Sequence, residues 1–290
     1  MISIHIRTVL TYFLLAIVNV AFSQYGKVYD DMSLESKILG MEKKYSIYLP
    51  SDYEISDRSY PVLYLLHGLG DDHTGWVQFG EVSRIADQAI ENGSATPMII
   101  VMPNAKQERS GYFNWIQKGD WNFEDFFFKE LIPHIEETYR IRKDKRYRAI
   151  SGQSMGGGGA FLYAMHHPEL FGVVCPLSAW FWWSDFDEFK KKFAKDDLSV
   201  GDEKLLAYYK RNHPLELINS VSSEDLNTIK WYIDCGDGDF CSEGNSLMHI
   251  AMRKAKIGHE YRVRDGSHNW SYWRESLPSV LLFVSNSFHK

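Results

Sequence analysis

Apolar and polar positions along the chain follow two alternating rhythms. Val62–Leu66, residues 98–102 and Val173–Leu177 are almost unbroken apolar runs, the pattern of strands buried on both faces of a parallel sheet. Residues 44–49, 147–150, 231–234 and 261–264 are further strand candidates. Between them, residues 82–92, 123–139, Met155–His166, 246–256 and 272–288 repeat their apolar positions at helical spacing. Pro133 is expected to kink or split the second of these helices, and Pro278 the last. The alternation predicts an α/β fold, a mostly parallel central sheet with helices on both faces. Residues 180–227 break the short-loop rhythm. They are read as a partly helical cap insertion opening on Trp180-Phe181-Trp182-Trp183.

The first 23 residues fall outside this pattern. His5 and Arg7 precede an apolar run from Val9 to Val20, and Ala21-Phe22-Ser23 has the small-x-small form of a cleavage site. A run of about a dozen apolar residues is short for a bilayer, which takes roughly 20. A signal peptide over residues 1–23, cut before Gln24, is therefore expected, with no membrane span in the mature protein. No cysteine follows the run to accept a lipid. Residues 24–290 then form one domain in a secreted or periplasmic protein.

Composition narrows the partners. The chain of 290 residues has a net charge of −6 and no basic block, which excludes phosphate-backbone recognition and hence nucleic acid. Aromatic residues make up 15%, a supply suited to stacking on sugar rings or aryl groups or to a core rich in large rings. Cys175, Cys235 and Cys241 allow one bridge at most, and an oxidising compartment would permit Cys235 to pair with Cys241. Neither C-x-x-C nor H-E-x-x-H occurs, and Asp234, Asp237 and Asp239 lack EF-hand spacing, so no metal site is implied.

The chemistry is concentrated in Gly152-Gln153-Ser154-Met155-Gly156, which follows a strand and opens a helix. A tight turn there exposes the serine oxygen at the sheet edge, and the helix N-terminus offers free N–H groups to developing negative charge. The run of glycines from Gly156 to Gly159 has no following Lys-Ser/Thr, which excludes a phosphate loop. His268, in Gly266-Ser267-His268-Asn269-Trp270 after the final strand, stands where a base is needed. For the acid, spacing leaves Asp234, Asp237 and Asp239 in competition. Asp234 ends the strand as a candidate structural residue, whereas Asp239 lies further out on the loop, within reach of the histidine. His67-Gly68-Leu69-Gly70 breaks an apolar strand, so the Leu69 and Met155 N–H groups are the candidate oxyanion hole.

Together with Glu130-Leu131-Ile132-Pro133, Asp234-Cys235-Gly236 through Asp239-Phe240, and His268-Asn269-Trp270, these motifs give the chain a family resemblance. It resembles the esterase group that includes carbohydrate esterase family 1 (feruloyl and acetylxylan esterases), S-formylglutathione hydrolases and mycolyltransferases. The resemblance implies the α/β-hydrolase fold and a triad of Ser154, His268 and Asp239, and it favours Asp239 as the acid. It also implies a serine esterase without a cofactor, acting on an acylated polysaccharide or oligosaccharide such as feruloylated or acetylated xylan. Expected to touch substrate are Gln153 in the elbow, Trp76, Tyr112, Trp115, Trp180 and Trp270. Two other readings are an acyltransferase using the same acyl-enzyme and a carbohydrate-binding protein on a decayed esterase fold.

Overall fold

A computed structural model describes residues 25–106, 111–116, 121–181, 185–194 and 200–289. The leader, Trp182 and Trp183 lie outside the described residues. Eight strands build one sheet in the order β1-β2-β4-β3-β5-β6-β7-β8. They are β1 Lys27–Ser36, β2 Met41–Leu49, β3 Val62–Leu66, β4 Ile99–Pro103, β5 Arg148–Gln153, β6 Val173–Leu177, β7 Lys230–Gly236 and β8 His259–Arg264. β1 and β2 run antiparallel at one edge, and every pair from β4 to β8 is parallel.

Side-chain alternation assigns the two faces. Val62, Tyr64 and Leu66 of β3 join one apolar cluster, while Leu63 and Leu65 join the other. The first cluster is covered by α3 (Phe123–Phe126), a π turn (Phe127–Leu131), α4 (Ile132–Thr138) and α5 (Met155–His166). After the short α1 (Gly75–Gln78), α2 (Val82–Glu91) covers the second, with α11 (Trp270–Phe288). α5 is apolar on nearly all sides, as a helix enclosed between sheet and neighbouring helices must be.

The insertion between β6 and β7 carries α6 (Phe186–Ala194), α7 (Asp202–Asn212), α8 (Pro214–Ser220) and α9 (Ser223–Asn227), before α10 (Ser242–Lys254) follows β7. Two proline expectations divide. Pro133 sits in the first turn of α4, directly after the π turn, so the helix is interrupted there. Pro278 lies within an unbroken α11; a helix packed along one side keeps its course where an isolated one would break. β1 does not announce itself in the sequence, because most of its side chains are exposed at a sheet edge and a register shift between Tyr29 and Met32 interrupts its alternation.

Candidate active site

β5 runs straight into the elbow. Ser154 adopts φ 56° and ψ −119°, a conformation costly for any residue with a Cβ, between the strand and α5. The flanking glycines have a steric cause. A Cβ on Gly156 would lie 2.6 Å from the Leu66 carbonyl oxygen, and one on Gly152 would lie 2.7 Å from Gly156 and from Leu66 Cβ. The first turn of α5 is thereby pressed against the end of β3, where the loop carrying Leu69 begins.

The structure brings Ser154, His268 and Asp239 together. His268 Nδ1 lies 2.8 and 2.9 Å from the two Asp239 carboxylate oxygens, and Nε2 lies 2.8 Å from Ser154 Oγ. A carboxylate can only accept, so Nδ1 carries the hydrogen and Nε2 turns its lone pair to the serine hydroxyl. Asp239 is buried. Burial by itself would raise its carboxyl, but hydrogen bonds from His268, the Cys241 N–H at 2.7 Å and Ser178 outweigh that penalty and hold it below the ordinary range. Such a chain can strip a proton from a hydroxyl and return it to a leaving group.

The other two acids are occupied elsewhere. Asp234 is fully buried and takes hydrogen bonds from Arg264, Tyr232 and Tyr272. Asp237 accepts the Gly266 N–H at 3.2 Å and so shapes the histidine loop.

Opposite the serine, Leu69 is 73% exposed and precedes Gly70, whose φ is +87°. Met155 begins α5, where helix geometry leaves the backbone N–H without a partner in its own helix. The orientation of the Leu69 peptide is set by His67. Its Nε2 accepts the Ala105 N–H at 2.9 Å, so Nδ1 carries the hydrogen and donates it to the Gly68 carbonyl at 2.8 Å. A trans peptide points its C=O and N–H in opposite directions, so the Leu69 N–H faces away from the His67 ring. Burial pushes the His67 imidazole down to about 4, which keeps it neutral in this role.

Several residues expected to touch substrate instead support the frame. Trp76 is fully buried and donates from Nε1 to the Leu66 carbonyl at 3.0 Å. Tyr112 is also fully buried; its hydroxyl accepts the His67 N–H at 2.9 Å and donates to the His67 carbonyl at 3.0 Å. Gln153 is buried beneath Gly68 and donates to Asp71 at 3.3 Å. Each is a large or polar side chain needed beneath the bends at the site, a role that sequence position alone does not separate from ligand contact. Trp270 packs edge-on against Trp76 and tilted against Phe79, bracing the histidine loop. Trp115 is half-buried against Phe113. Trp180 is 41% exposed and, with Phe113, Met155, Gly158, Leu162 and Phe181, lines an apolar cleft along α5.

Three contributors were not legible. Ser178, buried with φ 43°, hydrogen-bonds Asp239 and receives the Trp273 Nε1–H at 3.1 Å. Phe240 is 71% exposed with its ring 4.2 Å from that of His268. Asn212 reaches the cleft wall from the insertion. The adjacency of Phe240 to the acid was the one available signal among them. Cys175, Cys235 and Cys241 are free thiols, all buried, and the Cys235–Cys241 bridge that an oxidising compartment would permit is not formed.

Comparison with known proteins identifies the family and the fold. The model of the family described as "Putative esterase" matches residues 36–284. A solved ferulic acid esterase superposes with a TM-score of 0.78 at 36% identity, covering 91% of this chain and 99% of that one. A Staphylococcus aureus S-formylglutathione hydrolase shares the fold, with a TM-score of 0.71 at 20% identity over 90% of this chain and 100% of its own. An endo-1,4-beta-xylanase/feruloyl esterase of Xylanibacter ruminicola is 34% identical over 49% of this chain and 20% of its own length. An esterase of Mycobacterium tuberculosis is 35% identical over 45% of this chain and 27% of its own. The chain thus spans about a fifth to a quarter of these two curated relatives. With the family model matching from β1 into α11, on an eight-stranded α/β-hydrolase sheet, this chain belongs to the "Putative esterase" family.

Proposed function

We propose that the chain hydrolyses carboxylic esters through Ser154 and releases feruloyl groups, and secondarily acetyl groups, from a plant cell-wall polysaccharide such as xylan. The observation that carries the reading is the unbroken hydrogen-bond chain from Ser154 Oγ through His268 to the buried Asp239. In this account Ser154 attacks the ester carbonyl, His268 takes its proton and passes it to the leaving alcohol, and Asp239 holds the imidazole. The Leu69 and Met155 N–H groups stabilise the oxyanion. Water then attacks the acyl-enzyme, with His268 as base again, and frees the acid. No cofactor enters these steps.

Feruloyl preference is supported by the apolar cleft beside Met155, whose Phe113, Trp180 and Phe181 offer an aryl group surfaces that acetyl cannot use. A ferulic acid esterase and an endo-1,4-beta-xylanase/feruloyl esterase among the relatives point the same way. The apolar leader supports export. Among the described residues no helix is long and apolar enough to cross a membrane. Residues 180–227 serve as the cap, bringing Trp180 and Asn212 to the cleft. The test is acid release from methyl ferulate, acetylated xylan and a short p-nitrophenyl ester by the full chain. Higher kcat/KM on ferulate than on acetyl esters supports the reading; a clear acetyl preference rejects the feruloyl assignment.

A further inference from the structure

The cleft along α5 is apolar except at one place. Its wall runs from Met155 to Leu162, about 10 Å at the helical rise per residue. Asn212, the last residue of α7, lines the same cleft and is 8% exposed. Its Nδ2 donates to the Tyr208 carbonyl at 2.8 Å. Only the amide nitrogen can donate to a carbonyl, so the orientation of the side chain is fixed and Oδ1 is the group left over. Among the described residues no donor reaches Oδ1. A buried acceptor without a donor is unfavourable, and a ligand hydroxyl placed against it would remove that penalty.

The position of Asn212 is held from α5 itself. The carbonyl of the preceding Arg211 lies 2.7 Å from His166 Nε2, and the Arg211 guanidinium lies 3.0 Å from Glu124. His166 Nδ1 is in turn 2.7 Å from the same Glu124 carboxylate. The helix that follows Ser154 therefore ends at a buried His166–Glu124 pair, and the exposed Arg211 guanidinium joins it to hold the residue next to the unpaired acceptor. Nucleophile and acceptor are both tied to α5, along which Phe113, Trp180 and Phe181 line the cleft.

We propose that Asn212 Oδ1 accepts the hydrogen bond of a ring hydroxyl on the acyl group, making the cleft selective for hydroxycinnamoyl over non-phenolic aryl acyl chains. This rests on the esterase reading above and names the acyl class of that site. A flat ring fills the aromatic wall, and a hydroxyl at its far end supplies the missing donor. Sites that hydrogen-bond a substrate hydroxyl reject analogues lacking it, because the buried partner is then left unpaired.

The test compares kcat/KM for methyl ferulate and methyl p-coumarate with methyl cinnamate and methyl 4-methoxycinnamate. The wild-type chain should favour the phenolic esters by at least about tenfold, and Asn212→Leu should bring that ratio close to one. A wild-type ratio near one, or a ratio unchanged by Asn212→Leu, overturns the proposal. Should Asn212→Leu fail to fold, affinity is measured on Ser154→Ala, which should bind ferulic acid at least about tenfold tighter than 4-methoxycinnamic acid; equal affinities overturn it. Hydrolysis of none of the four esters, nor of a p-nitrophenyl ester, overturns the esterase reading itself and this proposal with it.

Discussion

His67 clamps the carbonyl of Gly68 through a 2.8 Å hydrogen bond, and in doing so sets the direction of the next peptide N–H, that of Leu69. Replacing His67 with Phe keeps a ring but removes both the donor to Gly68 and the acceptor for Ala105. Loss of one oxyanion donor costs about 10²–10³ in kcat, and His67→Phe should fall by about 10² with a smaller change in KM. Steady-state kinetics on a p-nitrophenyl ester check this; kcat within threefold of wild type would refute the clamp.

The same residue sets a pH dependence. Burial lowers the His67 imidazole from 6.5 to about 4, so the unfolded chain binds its proton more readily than the folded one. Stability from this group is complete above about 6.5 and is lost as the pH falls toward about 4. Wild-type melting temperature should therefore drop more steeply than that of His67→Phe between those values. Parallel curves would mean that His67 does not titrate in this window.

The three acids separate by measurement. Asp239→Asn should fold normally and lose about 10⁴ in kcat, since an amide favours the wrong tautomer of His268. Asp234→Asn should instead lower stability by about 1–3 kcal/mol, because Arg264, Tyr232 and Tyr272 all converge on that carboxylate. Asp237→Asn keeps an acceptor for Gly266 and should do neither. Denaturant titration beside kinetics distinguishes them; a dead Asp237→Asn or a fully active Asp239→Asn would reassign the acid.

Strain at the nucleophile predicts a stability gain from its removal. The Ser154 backbone lies where a Cβ costs about 1–3 kcal/mol, part of which glycine gives back as chain entropy. Ser154→Gly should melt about 2–4 °C above Ser154→Ala, given about 2–4 °C per kcal/mol in a domain of this size. Equal or lower stability of the glycine variant would remove strain from the account.

How much of this was legible depended on whether local pattern or tertiary contact decides each feature. The buried strands show themselves as apolar runs, and the elbow, His268 and the His67-Gly68 bend are marked by glycines that backbone crowding demands. The choice among Asp234, Asp237 and Asp239 was open on spacing, since all three lie within six residues and only the arrival of Arg264 and Tyr272 from distant segments occupies the first. Trp76 and Tyr112 lie beneath the bends and not at the surface of the site, a difference hidden in sequence because a ring beneath a bend and a ring facing a ligand look alike along the chain. Asn212 and Ser178 lie in segments without motif, and their roles come from partners far away in sequence.

The most direct test of the central claim is the rate of acid release from methyl ferulate by Ser154→Ala beside the wild-type chain. Removing a triad nucleophile costs on the order of 10⁶ in kcat. The account predicts a folded variant, with melting temperature near or below that of wild type by no more than a few degrees, and a loss of that order. A Ser154→Ala chain hydrolysing within tenfold of wild type would contradict it.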